Sequence, residues 1–149
     1  MVMDAYFQPY QQNRLHDLAS VTKSVCSVLI GIAIDKGFLA SANVPVTDVF
    51  GNRSIENLGP AKRKLTIRHL LSMTSGFERS FPDDEDQLLD MRKTGDWIQY
   101  VLDLPVSGEP GDAFDYFSCN YHPLSRKGAS ISRNPPSAQS RIDRVSSRP

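Results

Sequence analysis

The stretch Leu18–Gly37, "LASVTKSVCSVLIGIAIDKG", decides how the rest of the chain is read. Val25, Cys26, Val28, Leu29, Ile30, Ile32, Ala33 and Ile34 follow one another with hardly a polar break. Ser20 stands where a helix N-cap belongs, and Gly37 follows the last periodic residue, where a left-handed C′ glycine ends a helix. The stretch therefore predicts a helix beginning at Ser20. Its apolar residues cover nearly every face, and a helix of that kind in a soluble protein is expected to be buried on all sides. The apolar stretch from Val25 to Ile34 is half of the roughly 20 residues that a membrane span needs.

Ser20 and Lys23 lie three apart at the mouth of this run, so they share one face of the helix. A serine in the first turn has its hydroxyl near backbone N–H groups that lack an intrahelical acceptor and can stabilise an oxyanion. A lysine one turn in, surrounded by apolar side chains, is expected to be poorly solvated and able to accept a proton. That pairing is one way to activate a serine. The bland alternative is the polar start of a buried helix, since Ser-x-x-Lys arises by chance in about one of every two chains of this size.

Outward from the helix, "VMDAYF" (2–7) is short and weakly alternating, which predicts a strand. "ANVPVTDVF" (42–50) reads as a Pro-punctuated loop. "LTIRHLLSMTSGF" (65–77) predicts a second helix, with Thr66 as its cap, Ile67, Leu70, Leu71 and Met73 as its buried stripe, and Gly76 as its end. The acidic run Asp83–Asp86 reads as a solvated loop. "DWIQYVLDLP" (96–105) predicts a third helix, capped by Asp96 and closed before Pro105. "SGEPGDAFDYFSCN" (107–120) carries a Pro-Gly turn, then an extended piece with Phe114 and Tyr116 on one side. From Arg126 the chain becomes a Ser/Pro/Arg-rich tail that cannot bury enough surface to offset the entropy of ordering, so it is expected to be disordered.

Seventeen basic residues balance seventeen acidic ones. The tail holds six of the basic and one of the acidic, leaving 11 against 16, a net of about −5, before Arg126. Nothing here points to a nucleic-acid partner. Cys26 and Cys119 have no metal-ligand spacing and read as plain thiols. His16, His69 and His122 show neither the order of a catalytic triad nor metal-ligand spacing.

"HDLASVTKSVCSVLIGIAIDKGFL", "PVTDVF", "LTIRHLLSMTSGFE", "DWIQYVLDLPVSGEPGDAFDY" and "SCNYHPLS" stand in the order found in serine β-lactamase-related hydrolases. That group includes the class C β-lactamases, penicillin-binding proteins, esterases and the hydrolases of nylon oligomers, and the chain resembles it from about Asp4 to Ser125. The resemblance implies Ser20 as the acylated nucleophile and Lys23 as general base or proton relay. It implies Tyr116 as a second catalytic acid or base, in a Tyr-x-Ser-x-Asn pattern that ends in Asn120. Asn120 would orient Lys23 or the substrate. A tyrosine needs its pKa lowered from about 10 to act near neutrality, and an ammonium beside it does that. Lys93-Thr94-Gly95 matches the third motif of β-lactamases and penicillin-binding proteins. It precedes Tyr116 instead of following it, however, and reads as a charged loop leading to the Asp96 cap.

The expected fold is the α/β plus helical subdomain of the β-lactamase/transpeptidase-like fold, with this chain a mostly helical fragment holding little of the sheet. Residues 1–125 would be a partial family domain and 126–149 a tail unlike the family, a switch that a frameshift, retained intron or gene-model error would produce. The start also resembles a cut family chain, and no secretory signal follows Met1, which leaves localisation open. The expected reaction is hydrolysis of a small-molecule amide or ester through an acyl-enzyme, with no cofactor, nucleic acid or membrane span involved, and with the oligomeric state open. As a truncated chain it is expected to fold poorly and to be inactive. The alternatives are a non-catalytic fragment or pseudogene product and, from a different class, a helical interaction module that docks in a partner's groove.

Overall fold

The computed structural model describes residues 3 and 5–125. The expected disorder of the tail, and the domain boundary at 125/126, fall outside these residues. In chain order the helices are α1 (Val21–Asp35), α2 (Val46–Val49), α3 (Pro60–Lys64), α4 (Ile67–Leu71), α5 (Asp84–Arg92) and α6 (Trp97–Asp103), followed by a 3₁₀ turn (Ser118–Tyr121). Among the described residues there is no strand, only two isolated antiparallel bridges, Pro45 with Thr66 and Phe77 with Val106. The strand expected over 2–7 does not form in its described residues. Among the described residues no neighbouring strand lies beside it, and Tyr6 and Phe7 lie exposed.

The core is built from one stripe of each helix. Cys26 and Ile30 of α1 meet Leu65, Ile67, Leu70, Met91, Ile98, Val101, Phe117 and Leu124, all buried. Helix α1 ends as its sequence predicts. Gly37 has φ +72°, its N–H bonds to Ile34 O (3.0 Å) and Phe38 N–H bonds to Ala33 O (2.8 Å), a Schellman motif. Its expected burial on all sides is not found. Cys26, Ile30 and Ala33 are buried, one per turn, while Val28 is 62% and Leu29 50% exposed, with Val21, Val25 and Ile32 open beside them. The core lies on one side of α1 only, so the apolar side chains on the other side meet solvent.

Helix α4 begins as expected, in a capping box: Thr66 Oγ1 accepts from His69 N–H (3.4 Å), and His69 Nδ1 accepts from Thr66 N–H (3.3 Å). It ends earlier than expected. Met73 takes the left-handed C′ position at φ +59°, with Thr74 N–H on His69 O (2.9 Å). Gly76 does something else. At φ +70° it lets the chain after α4 cross the chain after α6 so closely that a Cβ there would stand 2.5 Å from Gly108 O. Its carbonyl accepts from Ser107 and Gly108 N–H at 3.0 and 3.2 Å.

The acidic run is solvated, but it is no loop. Asp83 caps α5 through Glu85 N–H (2.7 Å), and Asp84, Glu85 and Asp86 fill the first turn, where the helix dipole favours negative charge. Asp96 caps α6 as predicted, accepting from Ile98 and Gln99 N–H (3.1 and 3.0 Å). Between α5 and α6, Lys93 closes α5 while pairing with Asp90 at 3.6 Å, and Thr94 Oγ1 donates to Met91 O. The Lys93-Thr94-Gly95 stretch is thus a helix-to-helix connector. Lys62, only 3% exposed, is a further buried charge: its ammonium donates to Glu56 O (2.7 Å) and to Leu102 O at the end of α6 (2.8 Å).

Candidate active site

Ser20 occupies the N-cap position of α1, but its hydroxyl does not cap the helix. The residue is already helical, at φ −70° and ψ −11°, which turns Oγ away from the N–H groups behind it. Those groups are engaged elsewhere: the N–H of Val21, Thr22 and Lys23 bond back to the carbonyls of Leu18, Ala19 and Ser20. The expected first-turn oxyanion donors are therefore already used. The Ser20 N–H itself has no acceptor among the described residues. Just before it, Ala19 is held at φ +41°, a strained conformation for a residue with a Cβ, with its N–H on Asp17 Oδ1 (2.9 Å).

The freed Ser20 hydroxyl is the acceptor at the centre of the site. Lys23 Nζ donates to Oγ at 2.8 Å, and the phenol of Tyr116, 96 residues away in sequence, donates to the same Oγ at 2.8 Å. Lys23 Nζ also stands 5.2 Å from the centre of the Tyr116 ring. The three groups close a triangle. The hydrogen bond with Ser20, then that with Lys23 and the lysine's charge, hold the Tyr116 phenol below its ordinary range. Lys23 is partly exposed, because the apolar flank of α1 is open.

The triangle lies on the wall of a concavity of about 480 Å³ that Ser24, Ser72, Met73 and Phe114 also line. Phe114 and Tyr116 share this wall, as their alternation predicted. Asn120 is brought close by sequence and fold, yet its amide is fully buried and donates to Met73 Sδ (3.3 Å), while its Oδ1 has no partner. It supports the pocket floor through Met73; no hydrogen bond joins it to Lys23.

The cysteines and histidines are placed elsewhere. Cys26 and Cys119 are free and buried; burial raises both thiols, Cys119 to about 12, which keeps them protonated. His69 serves the α4 capping box, His16 lies against Tyr10 with ring centres 4.7 Å apart, and His122 meets the Trp97 ring edge-on at 5.8 Å. Sequence reasoning missed Arg79 and Asp84. Arg79 forks onto the Asp115 carboxylate and donates to Tyr116 O, and Asp84 Oδ1 accepts from Ser118 N–H (2.9 Å). Only the run of acids before an apolar segment hinted at Asp84; no local pattern marks Arg79.

Comparison with known proteins bears on the family of the chain. Residues 1–127 match the family model described as Beta-lactamase. Over 73 residues the chain is 37% identical to "Beta-lactamase-like protein 2" of Dictyostelium discoideum, an alignment that takes in 49% of this chain and 13% of that protein. The family match covers most of the chain, and so the chain belongs to the beta-lactamase family.

Proposed function

We propose that Ser20, Lys23 and Tyr116 form an acyl-transfer centre that hydrolyses a small-molecule amide or ester. The observation that carries this reading is the convergence of Lys23 Nζ and the Tyr116 phenol on one serine oxygen, each at 2.8 Å. In the proposed reaction the Tyr116 phenolate takes the Ser20 proton as Oγ bonds to the carbonyl carbon, and the carbonyl π pair moves onto oxygen. Collapse restores the carbonyl and breaks the bond to the amine or alcohol, which leaves with the proton from Tyr116. Water then adds to the acyl-serine by the same route and frees the acid. The Lys23 side chain donates to the serine oxygen and favours the phenolate by its position. The unengaged Ser20 N–H is one oxyanion donor.

For the architecture we propose the α/β plus helical arrangement of the β-lactamase/transpeptidase-like fold, with these helices as its helical part. Support comes from the open apolar side of α1, which is the kind of surface a sheet covers. The same openness favours a second reading, a member that keeps the triangle but does not turn over, because Ser20 and Tyr116 occupy a solvent-open wall.

A fluorophosphonate probe tests the first reading. Its adduct, mapped by mass spectrometry, is expected on Ser20 and absent from Ser20→Ala. An adduct elsewhere, or one undiminished in Ser20→Ala, sinks the assignment. Labelling of Ser20 without turnover of any ester or β-lactam supports the second reading.

A further inference from the structure

Tyr116 can act on Ser20 only if the chain after α6 carries its phenol to α1 and holds it there. The segment around it, 113–117, has no regular secondary structure, and Tyr116 itself is 46% exposed, so its own side chain packs little. Its backbone is fixed from outside. Arg79, in the connection between α4 and α5, donates Nε to Asp115 Oδ2 (2.8 Å), and one of its terminal nitrogens donates both to Asp115 Oδ1 and to the carbonyl of Tyr116. The guanidinium also lies over the Phe117 ring, 4.9 Å from its centre, and Phe117 is buried. A single side chain thus grips three consecutive residues centred on the tyrosine. Only a planar fork with several fixed donors can bond a carboxylate on two sides, reach a neighbouring carbonyl and stack on a ring at once; an ammonium cannot.

We propose that Arg79 is a positioning residue for Tyr116, setting the reach of the phenol to Ser20 Oγ. The role of Tyr116 in acylation rests on the function proposed above; the grip of Arg79 on the tyrosine does not. Two further anchors act alongside it: Asp115 N–H bonds to Met73 O (2.9 Å), and Ser118 N–H bonds to Asp84 Oδ1. The ionisable groups that face the phenol are Lys23 from α1, Asp84 from α5 and Tyr121 from the 3₁₀ turn. With Arg79 removed, the segment loses its fork, the phenol withdraws from Lys23 and Ser20, and its titration returns toward that of a free tyrosine, about 10.

The test uses the whole chain and reads the phenol directly. Ultraviolet titration of the parent minus that of Tyr116→Phe isolates this one of the five tyrosines. The isolated phenol is expected to titrate below the free value in the parent, to move up toward it in Arg79→Gln, and to move part of the way in Arg79→Lys. Arg79→Lys keeps the charge and loses only the fork, so it decides the matter if the glutamine variant does not fold. A phenol that titrates identically in the parent and in Arg79→Lys overturns the proposal.

Labelling of Ser20 by the fluorophosphonate gives the second readout. Arg79→Gln is expected to slow it roughly 10- to 100-fold in the parent, the size of a misplaced catalytic group. In a Tyr116→Phe background the same substitution should change it by under about 2-fold, since a residue acting only through Tyr116 has nothing left to act on. Equal slowing in both backgrounds overturns the proposal. A phenol that responds to Arg79 in a chain whose Ser20 never labels leaves Arg79 in place and sinks the acylation reading instead.

Discussion

Replacing Tyr116 with phenylalanine removes one O–H and leaves nearly everything else. The segment is held through Asp115, the Tyr116 carbonyl and Phe117, none of which needs the phenol. The ring still forms the pocket wall beside Phe114 and still lies 5.2 Å from Lys23 Nζ. The 2.8 Å hydrogen bond to Ser20 Oγ disappears, and with it the group proposed to take the serine proton. A positioned acid or base is worth roughly 10²–10⁴ in rate. Water can stand in for part of that where the group is solvated, and Tyr116 is 46% exposed. Slowing of Ser20 labelling is therefore expected at the low end, about 10²-fold, equivalent to about 2.7 kcal/mol of barrier. The pH dependence carries the same information. The hydrogen bond from Tyr116 to Ser20, then Lys23, lowers the phenol below its ordinary value. On the proposed role of the phenolate as base, the labelling rate of the parent should rise with pH through that lowered pKa and level off above it. In Tyr116→Phe this rising limb should vanish. Timed labelling between neutrality and about pH 10 measures both quantities. A phenylalanine variant that labels within about 2-fold of the parent, or that keeps the same rising limb, refutes the assignment of Tyr116 as the base.

Three other outcomes are expected. Gly76→Ala places a Cβ 2.5 Å from Gly108 O at a positive φ, so left-handed strain and two displaced hydrogen bonds together should destabilise the chain by about 2–5 kcal/mol. Gly108→Ala, whose Cβ meets only an ordinary neighbour at 3.6 Å, is the control and should cost under about 1 kcal/mol; urea unfolding followed by Trp97 fluorescence compares them, and equal midpoints would contradict the crossing described. Lys93→Ala should leave Ser20 labelling within a few-fold of the parent, because Lys93 closes α5 and pairs with Asp90; a drop on the order of 10²-fold would put it in the site. Val25→Lys, Leu29→Lys and Ile32→Lys combined, all on the open side of α1, should keep the helical circular dichroism while lowering the binding of an apolar dye; a collapse of the fold would mean that this face is buried.

The elements that local chemistry marks were legible in the sequence. Thr66 and Asp96 cap their helices because a β-region residue with a side-chain acceptor can serve the free N–H groups of the first turn whatever lies around it. Gly37 ends α1 for an equally local reason. The acids at 83–86 carried the same kind of signal, but charge without an apolar stripe reads as a loop, so α5 was missed; Gln87 and Met91 bury its inner side and the dipole favours its acidic start. The chain by itself also placed Ser20 beside Lys23, since i and i+3 meet on any helix.

Tertiary structure decided the rest. Which side of α1 is buried depends on where Leu65, Leu70 and Phe117 come to lie, and no periodicity within an all-apolar run reports that. The Ser20 hydroxyl reads locally as a cap, and only the arrival of the Tyr116 phenol from 96 residues away, on the same side as Lys23, makes it the shared acceptor of two donors. Asn120 turns inward to Met73, and Arg79 grips Asp115, Tyr116 and Phe117, by bonds between segments tens of residues apart. Hydrogen bonds and charge pairs act over a few ångströms in space. A sequence determines which groups are available to make them, and the packing of α1, α4, α5 and the 3₁₀ turn determines which of those groups meet.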